Sequence, residues 1–229
     1  GILYIVHKDE AMTSFPDIKK KDLNHDSLPR QVYSHIKRMI ITQELKGGQK
    51  IPEESIAKAF GVSRTPIREA MRELEKDGLI HIYPRKHAEV VHVGPDDKRH
   101  IGELRIQLDT LSVRLLCGKM TREQHSELKG IAVKGDGFAA EGNIAQSFEL
   151  DSAFHCKMAE FSGNDYLYNF VKTLDLKVQL IRNIVPLDID EIREGISAHT
   201  EIADLLFAGK CVEAEELVRK HLAEYYFTD

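Results

Sequence analysis

Apolar positions in this chain keep a helical period for most of its length and change to a strand period once. After Pro29, Val32, Ile36, Met39 and Ile40 recur on one face of a helix, which Gly47-Gly48 is expected to end. Pro52 suits the first turn of a short second helix with Ile56, Ala57 and Phe60 inward, and Gly61 its stop. Ser63 is the expected N-cap of a third helix that Asp77-Gly78 closes, with Pro66 tolerated in its first turn. The period then changes. LIHIY and AEVVHV are β-prone runs on either side of the basic turn PRKH, which predicts a hairpin. Three helices and a two-stranded wing make a winged helix-turn-helix. Beyond Gly94-Pro95 the helical period returns, with Ile101, Leu104, Leu108, Leu111 and Leu115 on the first helix. Further helices are predicted near 121–133, 143–162, 165–185, 189–207 and 211–227. Breaks are expected at Gly118, at GDG 135–137, at Ser162-Gly163, at Pro186 and at Gly209. The expected fold is mainly α: an N-terminal winged helix-turn-helix and a C-terminal all-α bundle of about six helices. The divisions are an arm over 1–28, the winged domain over 29–95 and the bundle over 96–229.

Charge sharpens that division. The net charge of −5 is unevenly spread. Residues 30–93 hold 12 Lys/Arg against 8 Asp/Glu, whereas residues 96–229 hold 16 against 24. A basic segment followed by an acidic one suggests that the first meets a polyanion. No apolar run approaches the ~20 residues of a membrane span, and GILYIV is too short for a signal-peptide core. The three cysteines, Cys117, Cys156 and Cys211, lie far apart and fit no ligand spacing. They are odd in number, and a reducing cytoplasm is the plain reading.

The polyanion reading rests on GVSRTPIREAMRELEKDGLI, residues 61–80. On a wheel with Ile67 at zero, Ala70, Met71 and Leu74 fall within about 60°. Arg64, Arg68, Arg72 and Lys76 spread from about 60° to 180°, with Thr65 near 160°. One face packs on the domain and the other offers guanidinium groups and a hydroxyl. A plain surface helix has the same pattern, and Glu69, Glu73 and Glu75 are available to pair with these bases. The helix–turn–helix–wing setting favours DNA. Arg64, Thr65 and Arg68 are assigned to base edges, where Arg reads guanine bidentately. Arg72 and Lys76 are assigned to phosphates, and Arg85 and Lys86 at the wing tip to backbone or minor groove.

The same stretch resembles the signature of the GntR family of bacterial transcription regulators, and the acidic half resembles the FCD ligand domain of its FadR-like branch. The resemblance implies a cytoplasmic, DNA-associated homodimer on double-stranded operator DNA, with half-sites about 34 Å apart. It implies repression relieved by a small effector and no enzymatic activity. Two positions depart from the pattern. His87 stands where the wing often has glycine, and Glu53-Glu54 stands where some members place an Arg on DNA.

The bundle holds a second candidate site. In DSAFHCKMAEF, Asp151 and His155 are four apart and share a helical face with Phe148 and Met158. His199 sits among Ile196, Ala203 and Leu206, and His221 among Val218, Leu222 and Tyr225. Both histidines lie eleven residues from Lys210, the expected turn, so an antiparallel hairpin brings them level. Each could be a locally bonded core histidine. A shared divalent metal satisfies all four at once: Zn²⁺ first, with Ni²⁺, Mn²⁺ or Fe²⁺ as the others. The FCD resemblance supports this, because D-x-x-F/A-x-H, a later His and a final H-L supply metal ligands in that family. Positions left open on the ion would take a carboxylate or hydroxy-acid effector. In the same resemblance Arg105, within ELR, meets the effector's carboxylate, and Asn164 is a weaker candidate with a plain N-cap alternative. Other readings are a metal sensor or a metal-dependent hydrolase or lyase. The second lacks a general base, since Glu149 and Glu160 are expected to face away.

Overall fold

The computed structural model describes residues 27–84, 87–184 and 189–227. The 1–26 part of the expected arm, the wing-tip pair Arg85 and Lys86, and the break at Pro186 lie outside the described residues. Two compact units meet in sequence between Val91 and His92.

The first unit has α1 (Leu28–Ile41), β1 (Lys50–Ile51), α2 (Glu53–Phe60), α3 (Arg64–Lys76), β2 (Ile80–Tyr83) and β3 (His87–Val90). The apolar faces expected from the pattern are the buried ones: Val32, Ile36, Met39 and Ile40 on α1, and Ile67, Ala70, Met71 and Leu74 on α3. Two details differ from expectation. α1 stops at Ile41, six residues before Gly47, because Gln43 turns to a φ of +60°. Leu45 then folds back, buried, with its N–H on the Met39 carbonyl at 2.9 Å. The wing also has a third strand. β1 pairs antiparallel with β3, which pairs with β2, giving the order β1-β3-β2. Two residues before Pro52 were too few to signal a strand.

The second unit has α4 (Pro95–Leu116), α5 (Arg122–Ala140), α6 (Ile144–Phe161), α7 (Asp165–Arg182), α8 (Ile189–Phe207) and α9 (Cys211–Phe227). Helix α5 does not break at the GDG run; it continues to Ala140. Gly135 is instead a packing residue. A Cβ there would stand 3.4 Å from Leu150 and 3.6 Å from Ile196, and the Ser147 hydroxyl donates to its carbonyl at 3.0 Å. Gly118 (φ +69°) and Gly209 (φ +72°) do end their segments, in the left-handed region that favours glycine.

The cysteines are not all free. Cys117, at the end of α4, is bonded to Cys211, the first residue of α9, while Cys156 is free. A separation of 94 residues hid the pair; the antiparallel packing of α4 on α9 creates it. That packing is close elsewhere along the pair. A Cβ on Gly102 would fall 2.4 Å from the Cβ of Tyr226. No described helix is long and apolar enough to cross a membrane.

Alanine should therefore act with opposite sign at two helical glycines. Gly102→Ala forces α4 from α9 and should lower stability by about 1–3 kcal/mol. Gly130→Ala on α5 meets nothing within 4 Å and should raise it by about 0.5–1 kcal/mol through helix propensity. Chemical denaturation of both variants beside the parent tests the pair.

Candidate metal centre and nucleic-acid interface

In the first unit, α3 presents Arg64, Thr65, Arg68, Arg72 and Lys76 to solvent while its opposite face is buried. Its capping is simple: Ser63 occupies the N-cap without a side-chain bond, and the turn closes at Asp77. The arginines line a groove of about 590 Å³ that also receives Glu53 and Glu54 of α2, Tyr83 and His87. Arg64 donates to Glu54 at 3.1 Å, Arg68 lies 3.9 Å from Glu53, and Lys76 donates to Glu73 at 2.6 Å. These pairs are exposed, and such pairs contribute only ~0–1 kcal/mol, so a polyanion can displace them. In the wing, His87 lies 3.3 Å from Glu89 and packs its ring on Tyr83.

In the second unit, α6 sets Asp151 and His155 one turn apart, and the α8–α9 hairpin brings His199 and His221 level. All four side chains are buried and converge. One ligand atom from each lies within 4.8 Å of all the others. His199 Nε2 stands 3.2 Å from His155 Nε2 and 3.1 Å from His221 Nε2. Asp151 Oδ1 is 3.5 Å from His199 Nε2 and 3.8 Å from His155 Nε2. Phe154 stacks on His199 with ring centroids 4.3 Å apart, which fixes that imidazole's plane.

Three imidazole nitrogens cannot satisfy one another, because each close pair shares at most one proton. They do suit a cation. With metal–nitrogen bonds of ~2.1 Å, ligands at right angles sit ~3.0 Å apart and tetrahedral ones ~3.4 Å apart. The observed 3.1 and 3.2 Å fall between those values.

The ionisation states agree with ligand chemistry. Burial holds the His221 imidazolium down to about 3, with His155 adding to the effect. Burial, then His221, likewise holds His199 well below the usual imidazole value. Burial alone would raise Asp151, but Arg182, His155, His199 and Arg105 outweigh it and hold its carboxyl well below the usual range. His199 and His221 therefore offer neutral nitrogens, and Asp151 an ionised carboxylate, at neutral pH.

Around it lies a shell that the sequence reading missed. Asp109 on α4 is buried, with Oδ2 3.0 Å from His155 Nδ1, at an angle too poor for a hydrogen bond, and it accepts from Arg105 Nε at 3.2 Å. Asp175 on α7 lies 3.6 Å from Arg105 Nη1. Arg182, at the end of α7, donates to Asp151 and sits over the Phe148 and Tyr225 rings. Nothing in the pattern marked these three. Asp109 lies across α4 from the leucine stripe, whose Leu104 and Leu111 are exposed, and Arg182 reads as an ordinary basic residue near a helix C-terminus.

Arg105 is buried within α4's packed face. It is 3% exposed, and both its terminal nitrogens lack a hydrogen-bond partner among the described residues. Asn164 behaves differently: its side chain caps α7 by accepting from Leu167 N–H at 3.1 Å. No observed contact links it to the cluster.

Comparison with known proteins assigns both units to described families. Residues 28–90 match the family model described as bacterial regulatory proteins of the gntR family, and residues 100–224 match the FCD domain. The chain is 33% identical over 153 residues to the HTH-type transcriptional regulator YdhC of Bacillus subtilis, covering 66% of this chain and 68% of that protein. It is 27% identical over 210 residues to a probable D-xylose utilization operon transcriptional repressor of Paenarthrobacter nicotinovorans, covering 91% and 92% of the two chains. Among solved structures, Escherichia coli McbR/YncC aligns with a TM-score of 0.74 at 21% identity, over 87% of this chain and 95% of that one. A GntR regulator from Rhodococcus sp. RHA1 aligns at 0.72 and 20%, over 87% and 96%. At these identities the structures speak for the fold.

The depressed imidazoles give a signed pH dependence for metal-free protein. Above pH 6.5, His199 and His221 are neutral whether the chain is folded or not. Below it the unfolded chain takes up protons that the folded bundle refuses, so stability falls as pH drops from 6.5 toward about 3. Asp151 and Asp109, both held below 3.8, add a further loss as pH falls through the carboxylate range. Denaturation midpoints at pH 7.5, 6 and 5 should decline in that order. A flat series would mean the imidazoles are solvated.

Proposed function

Since the chain belongs to the GntR family of bacterial transcription regulators and carries an FCD domain, it is a DNA-binding regulator and not an enzyme; we propose that a small carboxylate effector at a metal-bearing cluster controls its grip on the operator. The carrying observation is the convergence of Asp151, His155, His199 and His221 in a buried site beside an unsatisfied Arg105. The residues that would hold the ion are those four, and Zn²⁺ fits them first. When bound, the ion supplies a Lewis-acidic anchor for a carboxylate or hydroxyl oxygen.

Charge supports an anionic effector. The cluster gathers Asp109, Asp151 and Asp175 with Arg105 and Arg182, a formal balance of −1 with neutral imidazoles. A divalent cation turns that to +1, the complement of one carboxylate. Nη1 and Nη2 of Arg105, which make no hydrogen bond and stand 3.6 Å from Asp175 and 3.8 Å from Asp151, present the planar fork that binds such a group bidentately. Arg105, held by Asp109, orients the anion, and Arg182 holds Asp151 in its ionised form. Asn164 has no part in this reading beyond its cap.

On the DNA side, Arg64, Thr65 and Arg68 read base edges and Arg72 and Lys76 hold phosphates; Arg85 and Lys86, outside the described residues, are assigned to backbone or minor groove. Repression relieved by effector is the expected sign. The protein acts as a homodimer on paired half-sites. Leu104 and Leu111 of α4, with Tyr166 and Phe170 of α7, are large apolar side chains left exposed, the kind of surface a second copy covers. Effector changes operator affinity only by binding one arrangement of the two DNA-binding heads better than another. Glu149 and Glu160 are exposed and offer the cluster no general base.

Two experiments test the reading. Arg68→Ala should weaken operator binding by about 1–3 kcal/mol and relax one base preference, whereas Arg72→Ala should lower the salt dependence by about one counterion. Unchanged affinity at moderate salt removes α3 from the major groove. Elemental analysis paired with effector titration of the protein–operator complex tests the second site. His199→Ala should lose metal and response together. Arg105→Ala should keep metal yet lose response, and a normal response would put the carboxylate elsewhere.

A further inference from the structure

The bonded cysteines are the feature of the second unit that neither DNA binding nor the metal cluster uses. They terminate a helix pair held in one register from end to end. Gly102 meets Tyr226 fifteen residues before Cys117 and fifteen after Cys211. Between those contacts Arg114 makes a two-pronged pair with Glu215, at 2.7 Å from Nε and 2.6 Å from Nη2. At the bonded end the two chains nearly touch. A Cβ on Gly118 would lie 3.7 Å from the Gly209 Cα, and Gly118 N–H donates to the Leu206 carbonyl at 3.1 Å. The cysteine Cα atoms are 5.6 Å apart, inside the range a disulfide spans without backbone movement. Glycine backbones and hydrogen bonds thus keep the two sulfurs adjacent without help from the bond.

Access is unequal among the three cysteines. Cys211 is exposed and Cys117 nearly buried, so one sulfur of the pair meets reagents and the other waits behind it. Cys156 is a poor competitor. It is the free cysteine, only partly exposed on α6.

We propose that Cys117 and Cys211 form an oxidant-responsive modification site, closed by peroxide and reopened by small thiols, that clamps α4 to α9. In closure the Cys211 sulfur attacks one peroxide oxygen and the O–O bond breaks. The products are the Cys211 sulfenic acid and one water. The Cys117 sulfur then displaces the sulfenic oxygen, which leaves with the remaining proton as a second water, and the S–S bond forms. Two thiols are oxidised by two electrons and one peroxide is reduced. Reopening runs by exchange: one small thiol attacks at Cys211, a second resolves the mixed disulfide, and the small disulfide leaves with both cysteines reduced. Helix α4 carries Arg105 and Asp109 and α9 carries His221, so the clamp fastens together two helices that contribute to the polar cluster. The proposal stands without a metal at that cluster.

The test uses the full chain, purified with dithiothreitol and then freed of it. Thiol titration in denaturant should find three thiols before a slight excess of hydrogen peroxide and one after it, with a cross-linked peptide joining positions 117 and 211. Excess dithiothreitol added to the native protein should restore all three. The thermal midpoint should rise by about 5 °C or more on closure and return on reduction. Cys211→Ser, changed at an exposed position, should fold, keep two thiols through peroxide treatment and show no shift. Three outcomes would overturn the proposal: peroxide leaves all thiols free or consumes Cys156 instead, the bond resists dithiothreitol in the native protein, or closure leaves the midpoint unmoved. Metal content, measured on the same samples, reports separately on the His/Asp cluster.

Discussion

The second unit is organised by the burial of ionic groups in an apolar helical bundle. Three aspartates, two arginines and three histidines occupy one buried region. Removing each charge from water costs several kcal/mol, which partners in good geometry must offset. Most of the groups find such partners: Arg182 with Asp151, Arg105 with Asp109. The shell is still incomplete. Arg105 keeps two unbonded terminal nitrogens, Asp175 one oxygen, and the facing imidazoles crowd their nitrogens together. A bundle selected for stability alone would fill this volume with aliphatic side chains. Convergent but unsatisfied donors and acceptors are what the proposed ion and anion would require.

Helix spacing follows from that requirement. His221 meets His199 only if α9 lies close to its neighbours, and Gly102 on α4 removes the one Cβ that would push Tyr226 away. Gly135 does the same for α5 against α6 and α8. The GDG run looked like a helix stop because glycine lowers helix propensity by roughly 1 kcal/mol relative to alanine. Inside a bundle, close approach recovers that through contacts on both sides, and the helix runs on. Conformational freedom matters at Gly118 and Gly209, whose positive φ angles bring the α4 and α9 ends together.

Those differences mark what a sequence can disclose. Local periodicity exposed the buried faces of α1 and α3, and turn-centred counting paired His199 with His221, because both depend on spacing along one or two adjacent helices. Asp109, Asp175 and Arg182 escaped because their partners come from other helices: Asp109 on α4 reaches His155 on α6, and Arg182 on α7 reaches Asp151 on α6. The disulfide escaped for the same reason, at a separation of 94 residues. Strand β1 escaped through brevity. Long-range packing created each of these, and no window of ten or twenty residues contains it.

The two units use charge in opposite ways. In the bundle, ions are buried, paired and expensive to disturb. On α3 they are exposed and held loosely, Arg64 by Glu54 and Arg68 at 3.9 Å from Glu53. Solvent screening keeps such pairs weak, yet they orient the guanidinium groups along one groove. An Arg in place of Glu54 would add a phosphate contact and raise affinity for every sequence alike. A carboxylate there subtracts from that uniform attraction and leaves base-edge contacts a larger share of the total. Glu53 and Glu54 therefore favour discrimination over grip.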